Sequence, residues 1–143
     1  MALTEEPTVR VRDAMIAEPR ALPASATARE AGEVLTPPEV RAVYVVEDDG
    51  SLVGVVTRKT LVAAVVAEGL DPNATTLGQL AEAPYYTIDA DTALDEAFRS
   101  IEEWDAERVP VVDDGRLVGV VSRAVLQRRL AEDEDAPELP PAA

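Results

Sequence analysis

A chain of 143 residues, 47% apolar and 29% charged, is long enough to bury a core and has the composition of a soluble globular protein. It contains neither cysteine nor histidine, which excludes disulfides, thiolate nucleophiles, zinc sites of the usual ligand types and every His-dependent triad. A formal net charge of -15 speaks against a nucleic-acid partner, because phosphate contacts need clustered Lys and Arg.

The start of the chain, with Glu5 and Glu6, lacks the basic and apolar pattern of a signal peptide. The longest apolar run, Leu61 to Ala67, is far too short to span a bilayer. A cytoplasmic protein with no membrane partner is expected. Residues 1–8 read as a leader, 9–68 as a first unit, 69–76 as a linker marked by Gly69, Pro72 and Asn73, and 77–132 as a second unit. Residues 133–143, acidic and then rich in Pro and Ala, read as a disordered tail.

In chain order, the first unit opens with a turn over Val11–Met15 and a short extended piece at Ala21-Leu22. A helix follows in which Ala28, Ala31, Val34 and Leu35 share a face, with Ser25 as its cap and Pro37-Pro38 as its stop. Strands are predicted at Val43–Val46 and Leu52–Val56 around an acidic turn ending at Gly50, and a last helix starts at Thr57.

The second unit repeats the order. A turn over Leu77–Ala81 precedes an extended Tyr86-Thr87-Ile88. Leu94, Ala97, Phe98, Ile101 and Trp104 then share a helical face, with Asp91 as the expected N-cap. Strands at Val109–Val112 and Leu117–Val121 flank Gly115, and a helix starts at Ser122. Each unit is therefore β-α-β-β-α. Val45-Val46-Glu47-Asp48-Asp49-Gly50-Ser51-Leu52-Val53-Gly54-Val55-Val56-Thr57-Arg58 returns as Val111-Val112-Asp113-Asp114-Gly115-Arg116-Leu117-Val118-Gly119-Val120-Val121-Ser122-Arg123, one acidic residue shorter. A whole supersecondary unit has been duplicated. Neither copy closes a core alone at this size, so an α/β (α+β) fold with the two repeats packed sheet to sheet about a pseudo-twofold axis is expected.

The Asp-Gly-x-Leu-Val-Gly-Val-Val-[Thr/Ser]-Arg string in both copies, with Arg108-Val109-Pro110-Val111-Val112-Asp113 before the second and Met15 in the first opening, resembles the cystathionine-β-synthase (CBS) domain. The whole of 11–130 is similar to a tandem pair, the Bateman module. The resemblance implies binding of adenosine-containing ligands (AMP, ADP, ATP or S-adenosylmethionine) in clefts between repeats. Adenine would lie against Ala42, Val43 and Tyr44 or Arg108, Val109 and Pro110, and phosphate at Thr57 and Ser122. It also implies a homodimer joined through helices, with Val62, Val65, Val66, Leu126 and Leu130 as candidate surface residues.

The chain departs from the family where ligand-binding copies carry Asp three residues after the Thr or Ser. Thr60 and Val125 stand there instead. Unpaired ribose hydroxyls would cost about 1–3 kcal/mol each. Tyr44 replaces the usual Pro of the first copy, and Ala81 the second Met.

Arg58-Lys59 and Arg123 are the basic residues nearest these sites. Arg58 and Lys59 oppose the helix dipole, which marks either an anion site or two solvated side chains. Thr57 and Ser122 are either phosphate donors or plain N-caps. The carboxylate pairs Asp48-Asp49 and Asp113-Asp114 read as turn residues, and no metal site is expected. Two functions stay open: a non-enzymatic sensor that passes ligand binding to an effector protein, and a ligand-free dimeric interaction module. No nucleophile and base can be assembled for an enzyme.

Overall fold

The computed structural model of the protein describes residues 9–17 and 19–135. The expected leader lies outside them, and of the tail expected over 133–143 the first three residues are helical while 136–143 lie outside. The elements are β1 (Ile16–Ala17), β2 (Ala21–Pro23), α1 (Ala28–Val34), β3 (Val43–Val46), β4 (Leu52–Val56), α2 (Arg58–Leu61), a π-turn (Val62–Val66), α3 (Leu77–Leu80), β5 (Ile88–Asp89), α4 (Leu94–Trp104), β6 (Arg108–Asp113), β7 (Arg116–Ser122) and α5 (Arg123–Asp135). A mixed α+β fold with two sheets agrees with the class expected from the repeat.

The chain forms two compact units, and their boundaries do not follow the repeats. One unit takes the opening segment through Ala17, then Tyr86–Asp114 and the chain from Val118. Its sheet has the order β1-β7-β6-β5. β1 runs antiparallel to β7 with Ile16 opposite Val120, and β5 parallel to β6 with Ile88 opposite Val111. The core holds Val11, Ile101, Val109, Val111, Val121 and Leu126. Each fully buried Val or Leu contributes about 1.5–3 kcal/mol.

The other unit takes residues 18–85 with Gly115–Leu117. Its sheet has the order β2-β3-β4, with Val43, Val45 and Val56 fully buried. Here Glu82, just after α3, exchanges both backbone hydrogen bonds with Val55 (2.9 and 3.0 Å). The pairing reproduces that of Ile16 with Val120. In each unit the opening segment of one repeat covers the last strand of the other. Two equivalent glycines make room for it. A Cβ at Gly54 would lie 2.6 Å from the Glu82 carbonyl oxygen, and one at Gly119 would lie 2.9 Å from that of Ile16 and 2.5 Å from the Met15 sulfur.

Several local expectations are revised. Thr27, not Ser25, caps α1 through a reciprocal box with Glu30. α1 ends at Val34, before the prolines. Ala93, not Asp91, is the N-cap of α4. Asp91 instead accepts from Arg12 at 2.8 Å, and Asp113 accepts from the same nitrogen at 3.2 Å, which together raise the Arg12 pKa and hold the opening segment in place. The second repeat's first strand is Ile88–Asp89, and Tyr86 before it stacks its ring parallel to Trp104 with centroids 4.3 Å apart. Val65 and Leu126 are buried in the cores and leave the expected association surface, whereas Val62 and Val66 are 58% and 71% exposed.

Candidate ligand site

In the unit built on the first repeat, β4 delivers Thr57 in an extended conformation to the start of α2. Its hydroxyl accepts from the amide of Thr60 (3.3 Å), and the Thr60 hydroxyl accepts from the amide of Thr57 (3.1 Å). The two hydroxyls lie 3.1 Å apart. This reciprocal capping box fixes both rotamers and leaves Thr60 only 3% exposed.

Thr60 forms part of the wall of a cavity of about 770 Å³ lying wholly within this unit. Ala63 and Ala64 of the π-turn continue that wall. The segment after the helix supplies the facing wall with Glu68, Leu70 and Asp71, and α3 and its exit border the site with Gln79, Leu80 and Glu82; it is open to solvent, and the three carboxylates are exposed. The Thr75 hydroxyl, also at the wall, donates to the Asp71 carbonyl (2.9 Å), and the Gln79 side-chain oxygen accepts from the Thr76 amide (3.0 Å). The charged side chains lining the cavity are three carboxylates, with no lysine or arginine among them. A small molecule with an apolar body fits its alanine and leucine surface, and the charge favours a neutral or cationic one.

Among the first-repeat candidates, Thr60 lines this cavity. Val43 and Tyr44 are buried in β3, and Ala42 is half-buried just before it. Lys59 is exposed. Arg58 turns away from its own helix start and donates to the carbonyls of Leu35 (2.6 Å) and Pro37 (2.8 Å). That contact resolves the dipole conflict, because the cation serves the C-terminal end of α1.

In the other unit, Arg108 is exposed at the start of β6, while Val109 and Pro110 are buried. The Ser122 hydroxyl caps α5 by accepting from the Val125 amide (3.1 Å). Arg123 pairs with Asp105 (3.4 Å) and Glu102 (3.9 Å), and its amide donates to the Glu107 carbonyl (2.9 Å). Residues 69–76, which follow Glu68, read in the sequence as a linker. The one signal of a further role was Asp71, Asn73 and Thr75 together, a set that makes side-chain turns.

Comparison with known proteins places these features in a family. The CBS domain family matches residues 11–67 and 77–132. Hypoxic response protein 1 of Mycobacterium tuberculosis is 36% identical over 106 residues, covering 74% of each chain. A crystal structure of Hypoxic Response Protein I with two coordinated zinc ions superposes with a TM-score of 0.72 at 33% identity, over 85% of this chain and 98% of that one. A crystal structure of CBSX2 in complex with AMP gives 0.69 at 26% identity, over 87% and 98%. The present chain has no histidine or cysteine, and among the described residues no three acidic side chains are grouped to hold a metal. Among the described residues no helix is long and apolar enough to cross a membrane. Two matched repeats, two sheets and the shared hairpin strings lead to one conclusion: the chain belongs to the CBS domain family and carries two CBS domains in tandem.

Proposed function

We propose that the protein is a cytoplasmic, non-enzymatic regulatory module that binds an adenosine derivative and passes the resulting change to an effector protein. The observation that carries this reading is the buried Thr60, which stands where ligand-binding CBS domains carry Asp and lines a cavity of about 770 Å³. A volume of that order accommodates a nucleoside-sized ligand. The AMP complex of CBSX2, a relative at 26% identity, supports the ligand class. Ala42, Val43, Tyr44, Thr57 and Lys59, with Arg108, Val109, Pro110, Ser122 and Arg123, remain candidate contacts. Arg58 is better read as structural, since two backbone carbonyls occupy it. Signalling requires the ligand to prefer one arrangement of the protein over another.

A thermal-shift panel of AMP, ADP, ATP, S-adenosylmethionine and NAD, with and without Mg²⁺, tests the proposal. A true ligand at 100 times its dissociation constant adds about 2.7 kcal/mol of stability. No shift with any member rules out the adenosine reading.

Exposed Val62 and Val66 favour a second reading, a homodimeric interaction module that binds no ligand. At -15 per chain, its association should strengthen with salt. Light scattering that finds a monomer at both low and high salt rejects it.

A further inference from the structure

Between Leu61 and Asp71 the first repeat carries one residue more than the second does between Leu126 and Asp135. Thr57-Arg58 and Leu61 align with Ser122-Arg123 and Leu126. Ala67-Glu68 and Asp71, however, align with Ala131-Glu132 and Asp135, one residue closer. The surplus falls where the structure has its π-turn, and α5 has none. The Ala67 amide donates to the Val62 carbonyl (2.9 Å), five residues back. In an α-helix it would reach the Ala63 carbonyl, four back. Absorbing the extra residue therefore releases the Ala63 carbonyl from that bond, and Ala63 lines the cavity. Val66, 71% exposed, is the residue the helix can spare. π-bulges of this kind concentrate at functional sites.

Resting on the ligand-site reading above, we propose that the inserted residue makes the π-turn a recognition element. It offers the Ala63 carbonyl to an N–H donor of the ligand, and with Glu68, Asp71 and Glu82 around it the site selects ligands with an apolar body and a protonated amine over phosphate-bearing ones. The carbonyl accepts a hydrogen bond, and the carboxylates supply a favourable field for the charge. A phosphate meets neither a basic side chain nor a compensating charge on the cavity wall.

The test is deletion of Val66, which turns the Ala67–Val62 bond into an ordinary α-helical one with neither atom moved. Calorimetry on the full chain uses S-adenosylmethionine, AMP and phenethylamine, an apolar amine without a nucleoside. The wild type is expected to bind S-adenosylmethionine at least tenfold more tightly than AMP. The deletion variant should keep its circular dichroism and its Tm, lose at least tenfold in affinity for both amines, and change less than threefold for AMP. A crystal structure of the variant should show a continuous α-helix with the Ala63 carbonyl bonded to the amide four residues on. Unchanged amine affinity in the folded variant overturns the proposal, as does a wild-type preference for AMP. If both nucleosides fail but phenethylamine binds the wild type and not the variant, the adenosine reading falls and this inference stands. If phenethylamine also fails, the inference falls too. Where the Val66 deletion does not fold, deletion of Ala64 removes the same surplus, and misfolding of both overturns the proposal.

Discussion

Arg58 donates from one guanidinium nitrogen to the carbonyl of Leu35, the C-cap of α1, at 2.6 Å, and to that of Pro37 at 2.8 Å. The pair ties the end of α1 and the loop after it to the start of α2, satisfying at Leu35 a helix-terminal carbonyl that α1 itself cannot. Arg58→Ala should therefore lower stability by about 1–2 kcal/mol, while Lys59→Ala stays within about 0.5 kcal/mol of wild type. Urea denaturation of the two variants checks this. Equal midpoints for the two would show that the Arg58 contact contributes nothing.

Gly54 and Gly119 occupy equivalent places in the two repeats, and each lies against an opening segment. Alanine at either position meets a backbone carbonyl below 3.0 Å. Both strands would have to shift, at about 1–3 kcal/mol per substitution. Thermal unfolding of Gly54→Ala and Gly119→Ala should show losses of this size in each. A neutral result at either would mean that its opening segment yields without cost.

Thr60→Asp should keep the capping box, since a carboxylate near a helix start is favourable, and should give the cavity an acceptor for two ribose hydroxyls. Ribose-containing ligands should then bind about tenfold more tightly, a gain of about 1.4 kcal/mol. Isothermal calorimetry with adenosine and AMP measures it. Affinity that is unchanged or weaker for both would remove Thr60 from the ribose site.

Asp49 accepts at one oxygen from the Ser51 hydroxyl (2.7 Å) and the Ser51 amide (2.9 Å), and these bonds lower its pKa, the hydroxyl having the larger effect. A depressed folded-state value stabilises above the unfolded pKa of about 3.9 and is lost as pH falls through the lower folded value. The carboxyl is exposed, so the contribution to stability is small. An NMR titration should place its midpoint below that of an ordinary Asp and move it upward in Ser51→Ala. Coincident midpoints in the two proteins would exclude the hydroxyl as the cause.

The strands and the main helices were legible because Val45-Val46 and Leu52–Val56 occur twice, and each copy vouches for the other. Caps were less so. Ser25 and Asp91 are as capable as Thr27, but Glu30 stands three residues after Thr27 and completes a box, a spacing that could have been weighed. The site was half legible. Thr60 could be found by its place after Thr57, whereas the wall at Glu68–Asp71 depends on contacts far along the chain. Local periodicity does not report how a helix absorbs an extra residue, so the π-turn was hidden in the apolar run Leu61–Ala67. The sequence leaves Arg58 open between an anion ligand and a solvated side chain, because its partners, Leu35 and Pro37, offer backbone carbonyls that no side-chain pattern announces.

The exchange of opening segments separates what was duplicated from what folds. A fragment of residues 1–72 retains the bare edge of β4 at Val55 and carries an opening segment that has lost the β7 edge it covers. Two such fragments hold what each other lacks. They should trade these segments and sediment as a swapped dimer, and a well-folded monomer would contradict this. The same reciprocity gives the tandem arrangement a physical sense: a lone repeat buries its strand edge only by borrowing the first residues of a twin, and two repeats in one chain make that loan intramolecular.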